Sequence, residues 1–299
     1  MNGSISRSRL RLSLLILSIA HVLLGLDFNI VYVALPEIGA ELGFSQQTLQ
    51  WVVSAYIVAF GGFLLLGGRI SDLLGKRKTF VNALFIFAAA SLMGSFASNA
   101  GTVILARAIQ GLAGAFLFPS ILSLINSLFA AGRERNRALS IWSLAGSSGL
   151  ALGSLLGGIL VSTWGWTSVF FVNVPLGLIL GAGTLMVMPA DAKNTRKRSF
   201  DLPGAITATA GVTLFVFVLV QGPEIGWTSA FVLISLIASA LFLSAFAMIE
   251  SRSSDPLMPL RLLKNRNLAI AMWLYRSLHG NVHGHPLLSY SSVPTQLWF

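Results

Sequence analysis

The sequence predicts an all-α integral membrane protein, and three observations carry that prediction. Of 299 residues, 55% are hydrophobic and only 10% charged, where soluble domains carry about a quarter of their residues charged. The apolar residues gather in runs that match the roughly 20 residues a helix needs to cross a bilayer core. Between these runs the lysines and arginines cluster in every second connection, the bias expected of cytoplasmic loops. The net charge of +10 would suit nucleic acid only if basic side chains covered one solvated face; dispersed between apolar runs, it reports topology, and no nucleic-acid partner is expected. There is no cysteine, which excludes disulfides, thiolate metal sites and thiol nucleophiles.

The elements follow in order. Residues 1–11, with Arg7, Arg9 and Arg11, form a cytoplasmic N-terminus. The run at 12–35 exceeds the apolar core of a signal peptide and holds Asp27, so it is a retained first span. Spans two to six lie at 47–70, 79–98, 101–129, 138–162 and 168–188, giving a six-helix unit over 12–188. The cytoplasmic linker 189–202, with Lys193, Arg196, Lys197 and Arg198, separates it from two further spans at 203–221 and 229–249, a unit over 203–249. Residues 250–275 form a cytoplasmic connection, with Arg252, Arg261, Lys264 and Arg266, and the start of an incomplete ninth span at "LAIAMWLY". Residues 276–299 are polar and aperiodic and are expected to be disordered; His279, His283 and His285 there are incidental, and no metal site is expected.

Loop charge tests the count of spans independently. Basic residues mark the N-terminus, the second-to-third connection (Arg69, Lys76, Arg77, Lys78) and the fourth-to-fifth (Arg133, Arg135, Arg137), then the linker and the connection after the eighth span. Connections near 36–46, 99–100, 163–167 and 222–228 hold no lysine or arginine. This places the N-terminus in the cytoplasm of a multi-pass protein of the cell membrane, and an error of one span would destroy the alternation.

Two charges stand inside spans. Asp27 and Arg107 each cost about 2.5–3.5 kcal/mol at membrane depth on insertion scales, so each points to a proton or cation pathway. On the helical wheel His21, Gly25 and Asn29 form one stripe with Asp27 well round the helix from it, so His21 and Asp27 do not pair. Arg107, Gly111, Gly114 and Phe118 share a face flanked by Gln110, a groove of small residues that admits either another helix or water, and in the second case the arginine is expected to line a cavity. Gly149, Gly153 and Gly157 recur every four residues in "GSSGLALGSLLGG", a spacing that lets helix backbones approach closely in lipid. Catalytic constellations are missing: Gly75 and Lys76 are followed by Arg77 rather than the Ser or Thr of a nucleotide loop, and no HExxH, GxSxG or CxxC occurs. Neither an enzyme nor a cofactor is expected.

In their order these motifs resemble the major facilitator superfamily, in particular its fourteen-span drug:proton antiporter branch. "LDFNIVYVALPEIG" is similar to the first-span pattern through Leu26, Asp27, Ala34, Leu35 and Pro36, with Asn29 and Tyr32 departing from it. "GGRISDLLGKRK" resembles the superfamily's cytoplasmic signature loop through Gly68, Asp72, Gly75, Lys76 and Arg77; Leu73 replaces a usual basic residue. "RAIQGLAGA" resembles the fourth-span motif through Arg107 and Gln110. "GLALGSLLGG" resembles the fifth-span antiporter motif through Gly149, Gly153, Gly157 and Gly158, with Ser154 at its proline position, so an expected helix distortion is absent. "FVNVPLG", with Asn173 and Pro175, resembles the branch's sixth span.

The resemblance implies a six-helix N-terminal transporter half plus the two linker helices of fourteen-span members, truncated after about eight spans. The change after Tyr275 is what a frameshift or premature stop would produce. It further implies proton-coupled efflux of drugs or other small amphipathic or cationic molecules, with Asp27, Arg107 and Gln110 coupling proton and substrate and the 68–78 loop acting as a conformational latch. Burial favours a protonated aspartate and a nearby cation an ionised one, which is what an exchanging carboxylate needs. The partners expected are a small-molecule substrate, protons, the bilayer and a missing C-terminal half. The other reading is a non-transporting or regulatory fragment that associates with a partner half.

Overall fold

The computed structural model describes residues 6–191 and 202–252. Most of the 189–202 linker, the ninth span and the 276–299 tail lie outside the described residues. Within them are nine helices and no strand: α1 (Arg7–Leu42), α2 (Gln46–Leu74), α3 (Lys76–Ser95), α4 (Ala100–Leu128), α5 (Arg133–Trp164), α6 (Thr167–Phe171), α7 (Asn173–Val187), α8 (Leu202–Ile225) and α9 (Ala230–Arg252). Counting α6 and α7 as one crossing, eight stretches are long and apolar enough to span a membrane.

The helices outrun the hydrophobic stretches. α1 continues through Pro36 to Leu42 and ends at Gly43, whose φ of 65° closes the helix with its amide on the Gly39 carbonyl. α5 begins at Arg133, since its polar first turn is helical although it is not apolar. Hydropathy marks what lies in lipid, whereas helix ends are set by caps: Ser6, Ser45 and Asn99 each accept an amide of the first turn of α1, α2 and α4. The sixth span, expected as one helix, is interrupted at Val172. Pro175 lacks the amide that would bond the carbonyl of Phe171, and its ring crowds that carbonyl, so the break falls between them.

Packing follows two parallel seams, α1 on α5 and α2 on α4; α3 lies against α4 and α7, and α8 joins the bundle through α2 and carries α9. One core layer gathers Leu17, Phe80, Phe87, Leu117 and Ile121, and another Ile30, Ile38, Val52, Trp166 and Phe170. Trp166 is buried and donates Nε1–H to Glu41 Oε2 at 2.9 Å, tying α1 to the α5–α6 turn. Outward faces stay apolar, with Phe231, Ile234, Ile237 and Leu241 exposed along α9, as a lipid-facing helix requires.

Candidate functional site

Asp27 and Arg107 meet at the centre of the bundle. Arg107 Nη1 donates to Asp27 Oδ2 at 2.7 Å, with the side chains 1% and 0% exposed. An isolated charge at that depth would be prohibitive, and the geometry compensates it from several helices. Gln110 Nε2 and Asn173 Nδ2 donate to Asp27 Oδ1 at 3.1 and 2.7 Å. Gln110 Oε1 in turn accepts from Arg107 Nη1 at 3.0 Å, while its Nε2 also donates to Ser91 Oγ at 2.8 Å. Arg107 Nε donates to the Val52 carbonyl at 3.1 Å, and its guanidinium carbon lies 4.3 Å from the centre of the Tyr56 ring. One carboxylate thus gathers contacts from α4 and α7, and the network extends to α2 and α3. Asn173, the first residue of α7, presents its amide because the helix restarts there; its Oδ1 is buried with no hydrogen-bond partner.

The predicted cavity-lining arginine is corrected by this geometry. The face shared by Gly111 and Gly114 is filled from α2: a Cβ on Gly111 would run into the Tyr56 backbone, and one on Gly114 would come within 3.0 Å of the Phe60 ring. Arg107 therefore lies behind Tyr56. The cavity itself, of about 610 Å³, lies between α1, α2, α4 and α5, with His21, Phe28, Tyr56, Phe60, Phe118 and Trp142 in its wall and Arg107 outside it. His21 stacks on Trp142 at 4.2 Å between ring centres, and its Nδ1 lies 2.9 Å from the Trp142 carbonyl. Of the face read from the wheel, Phe118 lines the cavity and Arg107 does not.

The polar stripe of α1 forms the seam with α5. A Cβ on Gly146 would strike the His21 ring, one on Gly149 would lie 2.5 Å from the Val22 carbonyl oxygen and one on Gly153 2.6 Å from that of Leu26. A Cβ on Gly157 would meet Ile30 and Val33, whereas one on Gly158 would meet nothing within 4 Å, so Gly158 takes no part in the seam. Asn29 Nδ2 donates to the Leu150 carbonyl at 2.7 Å and to Ser154 Oγ at 3.0 Å, so the serine at the proline position anchors α1 on an unbroken α5.

The signature turn holds a residue that the sequence reading missed. α3 begins after Gly75, at φ 108°, with no capping side chain of its own. Asp191, just beyond α7, accepts from the Arg77 and Lys78 amides at 2.9 and 3.0 Å, and the space a Cβ on Gly75 would need is taken by that carboxylate. Arg77 Nη2 donates to the Leu185 carbonyl at 2.6 Å. The first-turn amides of Arg77 and Lys78 thus go to Asp191; Asp72, Gly75, Lys76 and Asp191 border a cavity of about 320 Å³ between the ends of α2, α4 and α7. A Cβ on Gly68 would make only an ordinary contact with Pro119. The signal for Asp191 was the missing cap: a helix opening on Gly-Lys-Arg needs an acceptor from elsewhere.

Residues 17–275 match the family described as Major Facilitator Superfamily. The chain is 39% identical over 246 residues to the puromycin resistance protein pur8 of Streptomyces alboniger, covering 82% of this chain and 48% of that one. It is 41% identical to the cephamycin export protein CmcT of Amycolatopsis lactamdurans, covering 81% and 50%. To the lincomycin resistance protein of Streptomyces lincolnensis it is 35% identical, covering 89% and 55%. The chain therefore spans about half the length of these relatives. Among solved structures, the POT family transporter PepTSo shares the fold at a TM-score of 0.57 and 14% identity, covering 82% of this chain and 52% of that one. A bacterial homolog of the lysosomal transporter Spinster does so at 0.54 and 17%, covering 85% and 64%. Family match, relatives and fold agree with the bundle and its motifs: this chain is a multi-pass membrane protein of the major facilitator superfamily.

Proposed function

We propose that the chain forms the N-terminal half, with two linker helices, of a proton-coupled exporter of small amphipathic or cationic molecules in the cytoplasmic membrane. One observation carries the reading: an ion pair between spans, Asp27–Arg107, is fully buried and lies one aromatic ring away from a cavity large enough for a drug-sized molecule. Proton binding by Asp27 removes the charge that holds Arg107 and leaves Gln110 and Asn173 donating to a neutral group, so the protonation state selects between two arrangements of α1, α4 and α7. Relatives bearing the names of puromycin, cephamycin and lincomycin resistance or export support a substrate of antibiotic size. Transporters of this architecture bind substrate between two halves and rock one against the other, so a C-terminal half is the expected partner. The basic ends of the helices, carrying Arg7, Arg77, Arg135 and Arg252, support a cytoplasmic N-terminus.

The test uses proteoliposomes that hold the chain together with the C-terminal half of a full-length relative. Efflux of a fluorescent cation driven by a pH gradient is expected, and Asp27→Asn should abolish it while insertion and expression stay intact. Gradient-driven efflux of undiminished rate in that variant would remove Asp27 from the coupling.

A further inference from the structure

We propose that Tyr56 is the positioning residue through which an aromatic cation in the cavity and a proton on Asp27 exclude one another; this rests on the proton-coupled reading above. Tyr56 is 4% exposed, yet it belongs to both places. Its ring covers the Arg107 guanidinium at 4.3 Å, and the same residue is part of the cavity wall, beside Phe28 and Phe60. Its seat is fixed by α4, where Gly111 lies against its backbone and Gly114 beneath its hydroxyl. Ring contacts with Phe28 and Phe60 at about 6 Å hold the same orientation from α1 and α2.

The consequence is electrostatic. While Asp27 is ionised, its carboxylate compensates Arg107, and the cavity face of Tyr56 offers a cation an aromatic wall backed by a neutral pair. Once Asp27 takes a proton, the guanidinium behind the same ring is uncompensated and repels a cation held in front of it. Cation binding therefore favours proton release, and by linkage proton binding weakens the cation. Tyr56 sets the distance over which the two charges act and keeps water from screening them. The cation never needs to touch Asp27.

The other titratable or charged groups near the ring can be named. α1 contributes Asp27, Tyr32 and His21, the last in the cavity wall, and α4 contributes Arg107. α3 and α7 face the network with Ser91 and Asn173, and α5 faces the cavity with Trp142 and serines, none of which titrates in the range of interest.

The experiment is a fluorescence titration of the 299-residue chain in lipid nanodiscs with ethidium, an aromatic cation whose charge does not change between mildly acidic and mildly alkaline pH. Wild type should bind about tenfold more tightly at the alkaline end, within the usual range of coupling between sites. Asp27→Asn should bind with no pH dependence. Tyr56→Phe, which keeps the ring, should retain the tenfold ratio, and Tyr56→Leu, which fills the seat without a π face, should reduce it to about twofold or less. If Tyr56→Leu does not fold, Tyr56→Met is read in the same way. Wild-type binding that is absent or independent of pH overturns the proton-coupled reading and this inference with it. A ratio that Asp27→Asn abolishes but Tyr56→Leu preserves overturns the Tyr56 inference alone. The same holds for a ratio lost in His21→Gln and kept in Tyr56→Leu, which assigns the pH dependence to the imidazole.

Discussion

Removing Arg107 strands a carboxylate. With Asp27 wholly buried, Arg107→Ala leaves Gln110 and Asn173 as the remaining donors to an uncompensated charge, a change that typically costs about 3–5 kcal/mol. Adding Asp27→Asn to Arg107→Ala removes the stranded charge and should recover most of that loss, so thermal unfolding in mild detergent is expected to rank the double variant above the single one. Equal destabilisation of the two would mean that the cost comes from the lost packing of the guanidinium on Tyr56 and Val52. At this scale the sequence declared only the charges, because an Asp and an Arg in apolar runs are conspicuous one residue at a time. Of their neutral partners only Gln110 was legible, from its place beside Arg107: Ser91 and Tyr56 are unremarkable in their own helices, and Asn173 belongs to a motif that does not declare its contact with Asp27. Which side of Arg107 faced the cavity depended on what α2 placed against Gly111 and Gly114, which a helical wheel does not contain.

Between elements, the two best-defined devices are the glycine seam and the borrowed cap. Gly153 and Gly158 are both glycines of one motif, but only the first packs against α1. Gly153→Leu should push α5 away from Leu26 and Asn29 and destabilise the bundle by about 1–3 kcal/mol, as overpacking does. Gly158→Ala should be neutral or stabilising by up to about 1 kcal/mol, since a helical glycine in open space gains from a Cβ. A matched loss of melting temperature in the two variants would deny the seam its asymmetry. The cap predicts a local effect. Asp191→Ala removes acceptors from two amides and should cost about 0.5–2 kcal/mol, with faster hydrogen exchange at Arg77 and Lys78 and little change at the start of α4, which Asn99 caps itself. Spacing alone revealed the seam, because a four-residue glycine repeat is a one-helix property; the cap joins residues more than a hundred positions apart, and only the turn's lack of an acceptor hinted at it.

For the molecule as a whole, helix number and class were legible because lipid demands long apolar runs and the basic clusters punctuate them. Helix ends and the interruption at Val172 were less so, because capping and Pro175 act on backbone hydrogen bonds rather than on hydropathy. The orientation proposed for the bundle follows from the same clusters and can be tested cleanly, since the chain has no cysteine and any introduced thiol is the sole target of a maleimide. Ala131 in the α4–α5 turn and Ser251 at the end of α9 are exposed at the basic ends of their helices; Ser98, before α4, and Thr228, before α9, are exposed at the opposite ends. With the N-terminus in the cytoplasm, a membrane-impermeant maleimide added to spheroplasts should label Ser98→Cys and Thr228→Cys. Ala131→Cys and Ser251→Cys should react only after permeabilisation. The reverse pattern would invert the orientation and put the signature turn outside. A mixed pattern, with Ser98→Cys and Thr228→Cys on different sides, would show that α4 to α8 do not cross as alternating spans, and the link between basic ends and sidedness would fail with it.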